Sequence, residues 1–226
     1  MITCHHPYNN PTYTFRGQDY CLLCEVMEHN HTPRTPDETR QATNEDIENL
    51  IYLGRNETAY QFFAWYRAGR VSLDLLRVHL LDIWVAAEWP LDVAGAAMTE
   101  HSDILTMFRS AGFLCDDPTI TRPLSPLTLY RGCHESNVDN FSWSTSRDVA
   151  VKFAYRARMM PYRNPEDDDD GGRACVIEAV IPSEHILAMV IEGRGESEVI
   201  VDYLGARDAI WNGRYDFTIP TATVEG

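Results

Sequence analysis

Residues 141–154 read FSWSTSRDVAVKFA, in which alternating aromatic and small residues give way to apolar residues at helical spacing. The first half predicts a strand over 142–145, and the second half predicts a helix over 148–158. Two flanking segments, LYRG at 129–132 and GESEVIV at 195–201, predict strands that each carry charge. An Arg on one strand, a Ser-Thr-Ser strand that enters a helix, and a Glu-x-Glu before a hydrophobic strand together predict one functional site.

The order of these segments resembles the Arg-Ser-Glu class of mono-ADP-ribosyltransferases. It is especially similar to transferase-like proteins in phages of high-GC bacteria, in which a comparable Ser-Trp strand precedes a helix containing Phe-Ala. The similarity covers roughly residues 125–218. It implies a mixed or antiparallel β core of the ADP-ribosyltransferase type, NAD as a substrate, release of nicotinamide and transfer to a protein acceptor, with the Glu-x-Glu form implying arginine.

The resemblance also implies roles for individual residues. It assigns catalysis to Glu198, Glu196, Arg131 and Ser144. It assigns contacts with the nucleotide to Tyr130, Arg131, Gly132, Ser144, Thr145, Ser146 and Phe153. Glu198 would then lie at the ribose of NAD with Ser144 supporting it. Glu196 would serve the acceptor, and Arg131 would hold the phosphates or the ribose.

The chemistry of NAD cleavage explains these residue types. Breaking the bond between nicotinamide and ribose leaves positive charge on the ribose carbon, and a carboxylate can stabilise charge that exists only in the transition state. Residues two apart on a strand share a face, so Glu196 and Glu198 would point into one cleft. The planar guanidinium of Arg131 suits bidentate contacts with phosphate oxygens.

Each segment also has a purely structural interpretation. The Ser-Thr-Ser run could serve only as a helix N-cap, Arg131 could form an ordinary surface ion pair, and the two glutamates could lie on a solvated strand edge. The combination in this order favours the site. Two other functions fit the same residues: a non-catalytic binding protein that recognises a host component, and an NAD glycohydrolase in which water is the acceptor.

The first 36 residues carry a separate pattern of cysteine and histidine. Cys21 and Cys24 form a Cys-x-x-Cys pair that can present two thiolates to a tetrahedral zinc ion, and Cys4 with His6 would complete four ligands. Other histidines could replace His6, namely His5, His29 or His31. The alternative is a set of free thiols with unrelated histidines. The pattern predicts a structural site resembling a zinc ribbon, which would fold a segment too short to build a core.

The predicted elements give an α+β chain with a helical N-terminal half followed by a β core. We expect a zinc-binding segment over 1–36, a helical region over 37–117 and a transferase-like NAD-binding region over 118–226. The predicted helices cover 44–53, 56–68, 72 to near Pro90, and 99–110, with caps at Asn44, Asn56 and Ser72. The further predicted strands cover 127–131, 174–181, 186–192, 198–201 and 215–219.

Composition narrows the classes of partner. The net charge of −15 argues against general affinity for a nucleic-acid backbone and favours a basic protein acceptor, which we expect to be a host protein. No apolar run is long enough to cross a bilayer, so no membrane partner is expected. The N-terminus shows no basic region followed by an apolar stretch. We therefore expect a cytoplasmic protein, located in the host cytoplasm if the chain is phage-encoded.

Overall fold

The computed structural model describes residues 12–15, 18–21, 40–88, 90, 97, 101–159, 173–191 and 197–218. The chain divides into two compact units. The first comprises Met1–His79 and Ile83–Ile104, and the second comprises Leu80–Asp82 and Leu105–Gly226. None of the helices in the described ranges combines the length and the apolar composition that a bilayer crossing requires.

The first unit contains a hairpin and a group of helices. Strand β1 (Thr12–Phe15) pairs antiparallel with β2 (Gln18–Cys21). The helices are α1 (Asn44–Leu50), which continues as a 3-10 turn over Ile51–Leu53, α2 (Arg55–Arg67) and most of α3 (Leu73–Ala86). Phe63 makes edge-to-face contacts with Phe62 at 6.1 Å and with Trp84 at 6.5 Å. All three rings are buried, so they form an apolar centre for this unit.

Capping chemistry sets where these helices begin. The Thr43 hydroxyl accepts a hydrogen bond from the backbone N of Asp46 at 3.2 Å, and the Asp46 carboxylate accepts one from the backbone N of Thr43 at 2.8 Å. This reciprocal capping box satisfies two backbone donors and starts α1 one residue earlier than the predicted Asn44 cap. The predicted cap at Asn56 is also wrong, because α2 has already begun there. The Ser72 cap of α3 is confirmed.

The second unit is built on a mixed seven-stranded sheet with the order β3-β7-β8-β5-β4-β6-β9. Its strands are β3 (Leu114–Cys115), β4 (Leu127–His134), β5 (Ser142–Ser144), β6 (Ala174–Ile181), β7 (Ile186–Met189), β8 (Glu198–Val201) and β9 (Arg214–Asp216). Among the strand pairings of this sheet in the described residues, only that of β3 with β7 is parallel. The helices of this unit are most of α4 (His101–Ala111), α5 (Arg147–Met159) and α6 (Arg207–Trp211).

Successive side chains on a strand point to opposite faces of the sheet. In this sheet one of the two faces is apolar. In β4 the alternation places Leu129, Arg131 and Cys133 on this face. The buried residues of β5, β6 and β8 on the same face include Trp143, Cys175, Ile177, Ala179, Val199 and Val201. The other face carries Tyr130, Gly132 and His134.

Helix α5 covers part of that other face and approaches β4 closely at Gly132. A Cβ at Gly132 would lie 1.7 Å from the carbonyl oxygen of Ala150 and 2.5 Å from the backbone N of Ala154. Ala150 and Ala154 are buried with Val176 in a small apolar cluster, and Tyr130 packs against it. The lack of a side chain at Gly132 is therefore a packing requirement. Its contact with a nucleotide stays a prediction.

The α+β class is confirmed, and the sheet is larger than predicted. Strand β3 is only two residues long and pairs with β7, so no apolar run marks it in the sequence. It also lies before residue 118, where the β region was predicted to begin. Strand β4 continues three residues beyond the predicted end at Arg131, to His134.

Candidate functional site

A row of polar side chains crosses five strands on the face that carries α5. Glu198 lies opposite Ser144, and Ser144 lies opposite Tyr130. Tyr130 also lies opposite Glu178, which lies opposite Arg214. Directly opposed residues on neighbouring strands share a face. With strands spaced about 4.8 Å apart, this polar row extends for about 19 Å across the sheet.

The Glu198 end of the polar row brings together two predicted catalytic residues. Ser144 is 5% exposed, and its Oγ accepts a hydrogen bond from the backbone N of Ser146 at 3.0 Å. Glu198 is partly exposed and begins β8. The backbone N of Thr145 donates to the carbonyl oxygen of Ser197 at 3.3 Å, which ties the ends of the two strands together. Ser197 has a φ of 45°, a conformation that non-glycine residues rarely adopt, so the entry to β8 has a specific shape.

Arg131 lies on the opposite face of β4 from the polar row, and its guanidinium contacts the protein's own backbone. Nη1 donates to the carbonyl oxygen of Ser142 at 2.6 Å. Nε and Nη2 donate to the carbonyl oxygen of Asn137 at 3.3 and 3.2 Å. Burial lowers the pKa of Arg131, and the neighbouring Cys133 thiol and the Glu198 carboxylate oppose that shift. These contacts fix the connection between β4 and β5, and the predicted role at NAD stays a prediction.

The remaining residues predicted to contact the nucleotide lie around the start of α5. Ser146 precedes the helix, and its Oγ accepts a hydrogen bond from the backbone N of Val149 at 3.5 Å. Ser146 therefore has the capping role of the structural interpretation. Thr145 is exposed beside it. Phe153 lies in the second turn of α5, 38% exposed, with the guanidinium of Arg156 5.3 Å from its ring centroid.

A pocket of about 210 Å³ adjoins the other end of the polar row. Its lining residues are Arg147, Val176, Glu178, Arg214 and Asp216. Arg147 is the first residue of α5, and its Nη2 lies 2.6 Å from Oδ2 of Asp216. Hydrogen bonds from the side chain and backbone of Thr218 lower the pKa of Asp216, and Arg147 lowers it further. The pocket thus joins two guanidinium groups, two carboxylates and the N-terminus of a helix.

Glu178 and Arg214 had no place in the sequence-based site. Glu178 is the one charged residue in the apolar strand that reads ACVIEAVI. A charge in the middle of an otherwise apolar strand is a signal of function, but its register with Tyr130 depends on a strand pairing that the sequence does not specify. Arg214 follows a helix and a turn, and its position was not marked by any motif.

Several predicted residues lie outside the described residues. Glu196 is one of them, and so are three of the predicted zinc ligands, Cys4, His6 and Cys24. The fourth, Cys21, is the last residue of β2. Within the ranges that the structure describes, no group of three or more His, Cys, Asp or Glu side chains could hold a metal ion. The zinc site stays a prediction.

Comparison of the chain with models of protein families, with curated proteins and with solved structures finds no match.

Proposed function

We propose that this chain is an NAD-dependent mono-ADP-ribosyltransferase that modifies a protein acceptor at arginine and releases nicotinamide. The observation that carries the proposal is the direct opposition of Glu198 and Ser144 on neighbouring strands. A buried hydroxyl beside a partly exposed carboxylate suits a reaction in which positive charge develops on a sugar carbon.

In the proposed reaction, the bond between the ribose anomeric carbon and the nicotinamide ring nitrogen breaks. The bonding electrons leave with nicotinamide, which becomes neutral, and the ribose gains oxocarbenium character. The Glu198 carboxylate accepts a hydrogen bond from the ribose 2′-hydroxyl and stabilises this charge, while Ser144 orients the same sugar. A guanidine nitrogen of the acceptor then bonds to the anomeric carbon. Its proton passes to a base, for which Glu196 is the proposed group.

We assign the diphosphate of NAD to the Arg147 side of the pocket at the other end of the polar row, because the diphosphate is bonded to the 5′-carbon of the ribose at Glu198 and cannot span the whole polar row. Arg147 and Arg214 both line this pocket, and one guanidinium group can donate two parallel hydrogen bonds to two phosphate oxygens. The N-terminus of α5 adds backbone N–H groups and the positive end of the helix dipole. Asp216 holds Arg147 in place, and Glu178 lies opposite Arg214, so a carboxylate accompanies each cation.

The acceptor is proposed to be a basic protein. The chain has a net charge of −15, and a strongly acidic surface attracts basic proteins over long range at low salt. Arginine as the acceptor side chain rests on the resemblance of the Glu-x-Glu segment to arginine-directed members.

One experiment tests the proposal: the purified chain is incubated with NAD labelled on the adenylate, with and without cell lysate, and labelled protein and free nicotinamide are measured. A transferase specific for arginine gives labelled protein whose label resists conditions that cleave an ester linkage to a carboxylate side chain. The labelling is lost when the arginines of the acceptor are blocked beforehand. Nicotinamide release of equal rate without lysate, and no labelled protein, would identify an NAD glycohydrolase. The absence of both products would overturn the enzymatic proposal.

The contacts of Arg131 favour a second candidate, a non-catalytic protein that uses the same sheet to bind a host component. Its guanidinium already donates to backbone carbonyl oxygens of Ser142 and Asn137, which leaves fewer donors for a phosphate. In that case a zinc-bound segment at 1–36 would recognise the host component. NAD binding measured by calorimetry separates the two candidates, because this second protein has no need to bind NAD.

A further inference from the structure

Two buried cysteines face each other across β4 and β6, outside the polar row. Cys133 and Cys175 are directly opposed in the antiparallel register. They are 4% and 0% exposed, and both point to the apolar face of the sheet. Neither is used by the proposed reaction.

The ladder geometry brings the two thiols side by side. The backbone N of Glu135 donates to the carbonyl oxygen of Arg173 at 2.9 Å, two residues further along the same ladder. Hydrogen-bonded pairs recur at every second residue, so Cys133 and Cys175 form such a pair, with Cα atoms about 5.5 Å apart. A disulfide spans Cα separations of roughly 4.4–6.8 Å, but its Cβ atoms lie only about 3.5–4.5 Å apart. Opposed Cβ atoms of a hydrogen-bonded pair are about 5.5 Å apart, so the strands must draw together by about 1 Å, and the resulting disulfide is strained and readily reduced.

The surroundings of the pair favour reaction at Cys133. A hydrogen bond from the Cys175 thiol lowers the pKa of Cys133, and the adjacent Arg131 guanidinium lowers it further. The same hydrogen bond raises the pKa of Cys175. Burial opposes the shift of the Cys133 pKa, and Cys133 remains the more acidic thiol of the pair, with Cys175 as the hydrogen-bond donor. This is the arrangement of a nucleophilic thiol beside a resolving thiol.

We propose that Cys133 and Cys175 are a redox-active pair that closes to a cross-strand disulfide when the protein meets a peroxide. The Cys133 thiolate attacks one peroxide oxygen and forms a sulfenic acid, and the other oxygen leaves as water after protonation. The Cys175 sulfur then attacks the sulfenic sulfur, the S–S bond forms, and a second water leaves. Two thiols are oxidised and one hydrogen peroxide is reduced to two waters.

Access to the buried pair comes from the nearby end of the ladder. The pair lies two residues from the Glu135–Arg173 bond. Local opening at strand ends needs less free energy than global unfolding, and hydrogen peroxide is small. Oxidation also replaces the thiolate that faces Arg131 with a neutral sulfur, which removes an anion beside that guanidinium.

The test is peptide mapping of the full chain. Reduced protein is treated with hydrogen peroxide, unfolded in an alkylating reagent and digested without reductant. We expect a linked peptide containing Cys133 and Cys175, with the mass of its two parts less two hydrogen atoms, and we expect dithiothreitol to abolish it. The Cys115→Ser variant should still give the linked peptide, because Cys115 lies on β3 away from the pair and burial raises its pKa.

Three results would overturn the proposal. One is full alkylation of both cysteines after peroxide treatment. Another is a linked peptide that joins either cysteine to a different thiol. The third is accumulation of Cys133 sulfinic acid, because it would show that Cys175 does not resolve the sulfenic acid. The wild-type chain alone decides among these results, so the test does not depend on whether a Cys133→Ser variant folds.

Discussion

Gly132→Ala should destabilise the protein through the contact between α5 and the sheet. The added Cβ would lie 1.7 Å from the carbonyl oxygen of Ala150, and ordinary van der Waals contact begins at 3.4 Å. The difference, 3.4 − 1.7, means that α5 must withdraw by about 1.7 Å or β4 must bend. Both neighbours are backbone atoms, so no side chain can move aside instead.

The expected cost of this substitution is about 3 kcal/mol, the upper part of the range for overpacking. Withdrawal of α5 would also loosen the apolar cluster of Ala150, Ala154 and Val176. It would lengthen the hydrogen bond from Nε2 of His134 to the carbonyl oxygen of Ala157, now 2.6 Å. We therefore expect Gly132→Ala to lower the free energy of unfolding by about 3 kcal/mol, to within roughly 1 kcal/mol.

The assay is urea unfolding followed by circular dichroism, with Gly112→Ala as the matched control. Gly112 has a φ of 85°, and a Cβ there meets nothing within 4 Å. Its replacement should cost only about 1 kcal/mol for the left-handed backbone. If Gly132→Ala lowers the free energy of unfolding no more than Gly112→Ala does, with an unchanged dependence on urea, the packing role of Gly132 is refuted.

Three further outcomes are expected. Arg109→Met should lower the free energy of unfolding by about 2 kcal/mol in thermal or urea unfolding, because it leaves the buried carboxylate of Asp202 without the guanidinium whose Nε lies 3.0 Å away; a stability equal to wild type would show that water replaces the contact. Glu178→Gln should tighten NAD binding in calorimetry by about fivefold, on the order of 1 kcal/mol, because it removes negative charge from the pocket. Arg214→Gln should weaken binding by a similar factor. Equal effects of the two variants would refute the assignment of the diphosphate to this pocket. Purified protein should contain about one zinc ion per chain, lost on Cys21→Ser without loss of NAD cleavage; metal-free protein with freely reactive thiols would end the zinc prediction.

The sequence predicted the elements that depend on local chemistry. Ser72 caps α3 because its hydroxyl accepts a hydrogen bond from the backbone N of Leu75. Strands β6 and β8 begin and end at the residues that the sequence predicted. Thr43 was missed as the cap of α1 because the choice depends on a reciprocal bond with Asp46, and Asn44 fits the same simple pattern. When two adjacent residues are equally good N-cap candidates, the three-dimensional geometry decides which one caps the helix.

The candidate site was predictable in part. The opposition of Ser144 and Glu198 follows from two motifs that form neighbouring strands, and the sequence marked both. The face of Arg131 was not predictable, because one residue of register decides whether a side chain joins the polar row or the apolar face. Glu178 and Arg214 enter the row only through the pairing of β6 with β4 and β9, which joins residues distant in sequence.

The most direct test of the proposed activity is the rate of nicotinamide release from NAD by Glu198→Gln. This change keeps the shape of the side chain and removes the charge that would stabilise the transition state. We expect the rate to fall by about a hundredfold or more, with the unfolding temperature unchanged. Glu184→Gln is the matched control, since Glu184 is exposed in the turn between β6 and β7, and its rate should equal that of wild type. Wild-type turnover in Glu198→Gln would contradict the assignment of this carboxylate to catalysis.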